Sequence, residues 1–252
     1  MQTGSLKFKT VVVATDLGSH ASCALAYAQA IARLHRAELV VVHVIDPVSY
    51  VFPKGAPSFE EADRAARDEL QKIEQETRLR GIQVHSVMES GVICERILQA
   101  AKDHDADLLV LGTRGRTQAG RAALGTIARQ LLARAHCPIL TVPPDAEASI
   151  PWAGQWRHVV AAVDFSPVSI SALLCAHQMA TKQLTVVHAS LCNNEKVCSS
   201  CRERLRFLAP LNESHTVPVE HISTPGDAAK VIAEYARKSH ADLVVLGVCP
   251  NI

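Results

Sequence analysis

An internal repeat constrains the fold of this chain more than any other feature of its sequence. Three pieces of sequence return in the same order: VVVATD at 11–16 as VVAAVD at 159–164, VVHV at 41–44 as VVHA at 186–189, and ADLLVLG at 106–112 as ADLVVLG at 241–247. Self-similarity of this kind indicates one structural unit used twice. A chain of 252 residues has room for two units of ordinary domain size. We therefore predict two domains of the same fold.

Within the first copy, short apolar runs alternate with helix patterns. The apolar runs lack polar alternation, as is typical of strands covered on both faces of a parallel sheet, and they lie at 11–13, 39–44, 108–111 and 139–142. The helix patterns run from about 19 to 34, 59 to 80, 93 to 103 and 125 to 134. This alternation predicts right-handed crossovers and an α/β fold with a doubly wound parallel sheet.

Prolines and glycines mark the join between the two copies. The join contains Pro143, Pro144, Pro151 and Gly154. We therefore predict a first domain at 1–143, a linker at 144–156 and a second domain at 157–252. Because the sequence reaches Ile252 soon after Gly247, we expect the second domain to lack the glycine loop, last helix and fifth strand of the first.

Composition excludes several classes of protein. Apolar residues make up 48% and charged residues 20%, which is ordinary for a globular protein and excludes disorder. The formal net charge of +1 provides no overall attraction to nucleic acid or anionic lipid. Residues 1–10 lack the apolar core of a signal peptide, and no apolar run approaches the roughly 18 residues that span a bilayer. We expect a cytoplasmic protein with no nucleic-acid or membrane partner.

The eight cysteines do not follow the spacing of a disulfide framework. Four of them occur singly within apolar segments: Cys23, Cys94, Cys137 and Cys175. We predict that these four are small buried side chains in a reducing compartment.

A glycine-containing segment follows the strand predicted at 108–111. Gly112 and Gly115 come first, and after nine further residues Gly125-Thr126 opens a helix. Glycine lets a backbone approach a ligand closely, and the N–H groups at a helix N-terminus attract anions. Three nearby arginines could balance phosphate charge: Arg114, Arg116 and Arg121. The alternative is that these glycines only turn the chain and allow close helix packing.

Asp16 ends the first predicted strand, which the fold places beside the strand that precedes Gly112. Its carboxylate can accept hydrogen bonds from an adenine amino group or a ribose hydroxyl. A base and sugar near Asp16 and phosphates near Gly125 would together account for a nucleotide. The alternative is that Asp16 or Ser19 caps the following helix, as Asp164 could do in the second copy.

Two common nucleotide sites are excluded by the sequence. It contains no Gly-x4-Gly-Lys-Ser/Thr loop, so the chain is not a P-loop NTPase. The turn after the first strand, 15–19, lacks the glycines of a dinucleotide-binding turn, and Asp16 would repel a pyrophosphate there.

These residues resemble the universal stress protein family. Its ATP-binding members carry Gly-x2-Gly-x9-Gly-Ser/Thr, which Gly112, Gly115 and Gly125-Thr126 match with the spacing intact. The resemblance implies two tandem adenine nucleotide alpha hydrolase-like domains, with strand order 3-2-1-4-5 in the first, and ATP as the ligand, with or without Mg²⁺. It also implies a regulatory role and a homodimer formed through the fifth strand, about 139–142.

The resemblance further implies which positions form the site. These are Ala14, Thr15, Asp16, Val44, Gly112, Thr113, Arg114, Gly115, Gly125, Thr126 and Ile127. The second copy keeps Asp164 but has no glycine loop, so we expect it not to hold ATP. It would also leave the strand at 243–246 as an exposed apolar edge.

A cysteine cluster and two histidines lie outside this scheme. Cys198 and Cys201 form one CxxC after Cys192, and three outcomes stay open: zinc with His188 or His215, a redox disulfide, or plain thiols. A single CxxC is a weak metal signal, so we expect no zinc. For His43 and His188, at equivalent strand positions, we predict core imidazoles with one nitrogen bonded to backbone.

The leading functional hypothesis is a non-enzymatic, ATP-binding regulatory module, without catalytic residues, that changes its interactions when nucleotide binds. A slow ATPase or phosphotransferase is the first alternative, although no acidic cluster marks a strong Mg²⁺ site. The second is a structural dimerisation protein whose glycine loop binds nothing. A redox or metal sensor rests on the cysteine cluster alone.

Overall fold

The computed structural model describes residues 7–50, 58–113, 124–146, 156–190, 195–209 and 217–248. They form two compact units, 7–146 and 156–248, here called the N-terminal unit and the C-terminal unit. Pro144 and Ala146, assigned to the linker from sequence, still accept hydrogen bonds from Cys23 Sγ at 3.1 Å and Tyr27 Oη at 3.4 Å.

The N-terminal unit alternates strands and helices. Its described strands are β1 Thr10–Ala14, β2 Glu38–Ile45, β3 Val84–Ser90, β4 Leu108–Gly112 and β5 Ile139–Val142. Its described helices are α1 Ser22–His35, α2 Phe59–Leu79, α3 Ile93–Asp103 and α4 Thr126–Arg134. A short 3₁₀ turn, Ser19–Ala21, precedes α1, so this helix starts three residues later than predicted.

All five strands of this sheet run parallel in the order β3-β2-β1-β4-β5, which confirms the predicted order. The chain moves outward from β1 to β2 and β3 on one side, then crosses to β4 and β5 on the other. The order therefore reverses between β1 and β4, where Ala14 lies opposite Leu111. Open α/β sheets bind their ligands at such a switch point, beyond the carboxyl ends of the strands.

Burial on both faces explains the continuous apolar runs of the central strands. Val11, Val12 and Val13 of β1 are fully buried. Helix α1 packs against β1 and β4, and α2 packs against β2 and β3. On the opposite face, Val12 belongs to an apolar cluster that α3 and α4 cover with Ile97 and Leu131. Because successive side chains of a strand point to opposite faces of the sheet, a strand that is covered on both faces must be apolar at every position.

The C-terminal unit repeats this plan with four described strands. They are β6 Trp156–Ala162, β7 Ala180–Ser190, β8 Val219–Pro225 and β9 Leu243–Leu246, and the helices are α5 Pro167–Met179, α6 Glu195–Leu208 and α7 Ala228–Lys238. The strands are parallel in the order β8-β7-β6-β9. This is the order of the first four strands of the N-terminal unit. The two parallel doubly wound sheets predicted from the repeat are thus both present.

The repeated aspartate of the ADL sequence ties the fourth strand of each unit to the first. Asp107 Oδ2 accepts hydrogen bonds from the backbone N–H groups of Lys9 at 2.6 Å and Thr10 at 3.0 Å. Asp242 Oδ2 accepts one from the N–H of His158 at 2.8 Å. In return, the N–H of Asp107 donates to Thr10 O at 3.0 Å, and that of Asp242 to His158 O at 2.9 Å. The repeat of this aspartate therefore has a structural reason, because it joins the fourth strand to the first in each unit.

Strand β9 is the exposed apolar edge expected from the sequence. Val244 is 37% exposed and Leu246 53%, whereas Leu109 and Leu111, at the same positions of β4, are 0% and 4% exposed. In the N-terminal unit, β5 pairs with β4 and α4 packs beside it. Among the residues that the structure describes, no counterpart of β5 pairs with β9.

Three further comparisons concern the predictions about elements and burial. Strands β3 and β8 were not among the predicted runs, because they lie at sheet edges and carry polar, partly exposed side chains. Cys23 and Cys94 are buried as predicted, but Cys137 and Cys175 are only half-buried, so that prediction was wrong for two of the four. No helix within the described ranges is long and apolar enough to cross a membrane.

Candidate functional site

The end of β1 is fixed by hydrogen bonds to β2. The N–H of Thr15 donates to Val42 O at 2.9 Å, and Nδ1 of the buried His43 lies 2.9 Å from Thr15 O. The prediction that His43 is a core imidazole with one nitrogen bonded to backbone is confirmed. Both polar groups of the Thr15 backbone are therefore occupied where the strand gives way to the next turn.

Asp16 lies in a tight turn directly after this anchor. Its Oδ1 accepts a hydrogen bond from the N–H of Gly18 at 2.9 Å, which is an Asx turn. The N–H of Leu17 donates to Thr15 Oγ1 at 3.0 Å, and Leu17 has a φ of 59°, in the left-handed region. The alternative that Asp16 or Ser19 caps α1 is wrong, because the residue before α1 is Ala21, with no side-chain cap.

The second part of the site is the segment between β4 and α4. The N–H of Thr113 donates to Val142 O at 3.0 Å, and Thr113 O accepts from the N–H of Gly125 at 2.9 Å. Gly125 is extended, with φ −58° and ψ 156°, and α4 begins at Thr126. Because glycine has no side chain, it cannot cap the first N–H groups of α4. They are the donors that an anion would use.

An apolar wall adjoins the strand ends on the face covered by α3 and α4. Val44 near the end of β2 and Leu111 near the end of β4 belong to the buried cluster of this face, and Ala14 and Ile127 pack against it. A planar apolar group could rest on such a wall, while polar groups at its rim fix its orientation.

The structure thus brings most of the predicted site residues to one edge of the sheet. Those on β1, β2 and β4 lie at the carboxyl ends of the strands, and the others follow β1 or β4 or open α4: Ala14, Thr15, Asp16, Val44, Gly112, Thr113, Gly125, Thr126 and Ile127. The predicted residues Arg114 and Gly115, with Arg116 and Arg121, fall outside the described residues.

Helix α4 is held by a contact that the sequence did not indicate. Arg134 in its last turn makes two hydrogen bonds to Glu95 in the first turn of α3, at 2.7 and 2.9 Å. These residues are 39 positions apart, beyond the reach of any helical spacing rule. The contact therefore joins the C-terminal end of α4 to α3.

The C-terminal unit reproduces the β1 turn with different neighbours. Nδ1 of His188 lies 2.7 Å from Val163 O, which confirms the predicted bond to backbone, but this imidazole is only half-buried and not a core side chain. Asp164 Oδ1 accepts from the N–H of Ser166 at 2.9 Å. Phe165 has a φ of 66°, like Leu17. The alternative that Asp164 caps the next helix is wrong, because Ser166 accepts from the N–H of Ser169 and is the cap of α5.

The charge of Asp164 is stabilised by its turn. Hydrogen bonds from the side chains of Ser166 and Ser169, and then from the Ser166 backbone, lower the pKa of Asp164 from 3.8 to about 2. Beside Asp164, the ring centroids of Phe165 and His188 lie 4.6 Å apart. Arg204 Cζ lies 3.9 Å from the centroid of the Phe165 ring. Phe165 thus packs between other side chains of the unit.

Two residues of the cysteine cluster, Cys198 and Cys201, lie on α6. Cys198 is buried and Cys201 is a free, half-buried thiol, so these two do not form a disulfide with each other. Cys192, the third candidate, lies outside the described residues. Within the ranges that are described, no group of three His, Cys, Asp or Glu side chains could hold a metal ion.

Comparison with known proteins identifies relatives of this chain. Residues 7–143 match the Universal stress protein family model. The Thermus aquaticus protein named "Universal stress protein in QAH/OAS sulfhydrylase 3'region" is 39% identical over 137 residues, which are 54% of this chain and 98% of that protein. A solved universal stress protein from Archaeoglobus fulgidus is similar in fold over 93% of this chain and 85% of its own, with 17% identity and a TM-score of 0.69. Another from Archaeoglobus fulgidus, solved in complex with dAMP, aligns over 54% of this chain and 98% of its own, with 23% identity and a TM-score of 0.42.

Proposed function

Because the chain belongs to the universal stress protein family, we propose that its N-terminal unit binds ATP and acts as a nucleotide-dependent regulatory module. The observation that carries the proposal is the meeting of two features at the β1–β4 switch point. One is the Asp16 turn, and the other is the first turn of α4 after Gly125.

The two features suit opposite ends of a nucleotide. The Asp16 carboxylate is a hydrogen-bond acceptor for the ribose hydroxyls or the adenine amino group. The N–H groups of Thr126 and Ile127, with the Thr126 hydroxyl, are donors for phosphate oxygens at a helix N-terminus. The apolar wall that includes Val44 provides a surface for the adenine ring.

We further propose that the module is not an enzyme and that Mg²⁺ enters only with the nucleotide. This fits the described residues, which contain no cluster of acidic ligands that would hold the ion by itself. ATP bound beside Thr113 and the first turn of α4 would change how the protein meets a partner. We place this activity in the cytoplasm.

A homodimer through β5 is part of the proposal. Strand β5 is an edge of its sheet, and Ile139, Leu140 and Thr141 are half-buried. An edge strand offers unpaired backbone groups to a second copy. Light scattering at micromolar concentration should give the mass of two chains, and a clean monomer would contradict this part.

Calorimetric titration of nucleotide-stripped protein with ATP and Mg²⁺ tests the proposal. We expect one site per chain. Thr126→Val should weaken binding about tenfold by removing a donor to a charged group. Thr224→Val, the same change at an exposed position of β8, is the matched control and should bind like the unaltered protein. dAMP should compete with ATP.

The other outcomes separate the alternatives. Two sites per chain would show that the C-terminal unit also binds nucleotide. No binding would favour a structural dimerisation module whose glycine segment binds nothing. ATP turnover above that of the Thr126→Val variant would overturn the non-enzymatic assignment.

A further inference from the structure

Val42 and His43 of β2 form hydrogen bonds with Thr15, directly after the end of β1, and Val44 follows them in the strand. Val42 O accepts the N–H of Thr15 at 2.9 Å, and Nδ1 of His43 lies 2.9 Å from Thr15 O. Val44 lies in the apolar wall on the opposite face of the sheet. His43 is 8% exposed, so its bond to Thr15 is sheltered from competing water.

The chemistry of this bond fixes the proton on the imidazole. A carbonyl oxygen only accepts, so Nδ1 of His43 carries the hydrogen that it donates to Thr15 O. The interaction is therefore a directed N–H···O bond from β2 to the last peptide before Asp16.

That bond determines the orientation of Asp16. The carbonyl of Thr15 and the N–H of Asp16 belong to one planar peptide group, so holding the oxygen holds the plane. On its other side, Asp16 is held by the Asx turn to Gly18 and by the left-handed conformation of Leu17. The carboxylate thus leaves a backbone that is anchored before and after it.

The C-terminal unit shows the same device without the glycine segment that follows β4. His188 Nδ1 lies 2.7 Å from Val163 O, and Asp164 follows with the same turn. The arrangement is thus built by the fold in both units. It also provides a matched control, because His188 makes the same structural bond in the other unit.

We propose that His43 is a positioning residue for nucleotide binding, acting through Asp16. The inference rests on the proposed ATP site of the N-terminal unit. His43 donates to the Thr15 carbonyl, the Thr15–Asp16 peptide takes one orientation, and the Asp16 carboxylate is directed to the base and sugar end of the ligand. Without this bond the Thr15–Asp16 peptide loses its anchor to His43, and ordering that peptide on binding costs free energy.

A double-mutant cycle tests the path through Asp16. ATP affinity is measured by calorimetry for the unaltered protein, His43→Leu, Asp16→Asn and the double variant. Asn at 16 keeps an oxygen that can accept from Gly18 but removes the charge. His43→Leu should weaken ATP binding about tenfold, yet in the Asp16→Asn background it should weaken it by less than about twofold.

Two single variants separate positioning from general destabilisation. His43→Asn places an amide N–H close to the position of Nδ1 and should bind ATP within about threefold of the unaltered protein. His188→Leu removes the equivalent bond of the C-terminal unit and should leave ATP affinity unchanged within about twofold.

Contrary results would overturn either the positioning role alone or the proposed function as well. Equal affinity of His43→Leu and the unaltered protein, a full tenfold loss in both Asp16 backgrounds, or an equal loss in His188→Leu would overturn the positioning role and leave the proposed function standing. Failure of the unaltered protein to bind ATP would overturn both.

Discussion

Arg134 and Glu95 form a two-point ion pair that joins the last turn of α4 to the first turn of α3. Arg134 Nη1 lies 2.7 Å from Glu95 Oε1, and Nη2 lies 2.9 Å from Oε2. Nη1 also lies 3.8 Å from Cys94 Sγ in the buried cluster. A planar guanidinium held at two points fixes direction as well as distance. The pair therefore joins the C-terminal end of α4 to the start of α3.

Arg134→Met should raise the pKa of Glu95. The hydrogen bond from Arg134 holds this pKa below its ordinary value. The stabilisation by the pair is therefore complete above the ordinary pKa of a glutamate and is lost as the pH falls through the lowered value. Carboxyl ¹³C NMR titration measures the shift. Lys238→Met, which breaks the Lys238–Glu234 pair of α7, should leave the pKa of Glu95 unchanged. An unchanged Glu95 pKa in Arg134→Met would contradict the prediction.

Asp107→Ala should destabilise the N-terminal unit by about 1–3 kcal/mol, because it leaves the backbone donors of Lys9 and Thr10 without their acceptor. Asp242→Ala should do the same to the C-terminal unit. Urea unfolding followed by probes in each unit measures both. Asp103→Ala, at an exposed position near the end of α3, should change stability by less than about 0.5 kcal/mol. Equal effects of all three would contradict the structural role of the repeated aspartate.

Gly247→Ala should destabilise the C-terminal unit through a backbone clash. A Cβ at this position would lie 2.7 Å from Ser169 N and from Val168 C, in the first turn of α5. Because backbone atoms cannot move aside cheaply, the expected cost is about 1–3 kcal/mol. Thermal unfolding measures it, with Val248→Ala at the half-exposed neighbouring position as the control. A Gly247→Ala protein as stable as that control would show that α5 shifts freely.

Ser166→Ala should raise the pKa of Asp164 from about 2 toward 3.8, because the Ser166 side chain is the largest cause of the lowered value. A lowered carboxylate pKa stabilises the fold above the ordinary pKa, and this stabilisation disappears as the pH falls through about 2. NMR titration of Asp164 measures the change. Ser171→Ala, whose hydroxyl instead donates to Pro167 O, should leave the pKa at its low value; an equal rise there would argue against the assigned cause.

The architecture was predictable because each local pattern agreed with the repeat. Continuous apolar runs predict strands that are covered on both faces, as at Val11–Val13 and 108–111. These runs form β1 and β4, the strands on either side of the switch point. Strands β3 and β8 escaped prediction because edge strands tolerate polar side chains, so VHSVMES has no apolar run. Their existence followed only from the resemblance, which implied five strands in a set order.

The site was predictable as a set of residues but not as a geometry. Asp16 and Gly125 were found from their positions after a strand and before a helix. The left-handed turn at Leu17, the bond from His43 to Thr15 and the Arg134–Glu95 pair were not found in detail. Each depends on residues far apart in sequence or on a backbone conformation that leucine rarely adopts.

The most direct test of the central claim is to follow backbone amide signals of ¹⁵N-labelled protein by NMR while ATP and Mg²⁺ are added. We predict that the affected amides cluster at Thr15 and Asp16, at Gly112 and Thr113, and in the first turn of α4. The equivalent turn of the C-terminal unit, at Asp164 and Ser166, should not respond. Shifts centred on Asp164, or no shifts at saturating ATP, would contradict an ATP site at the β1–β4 switch point.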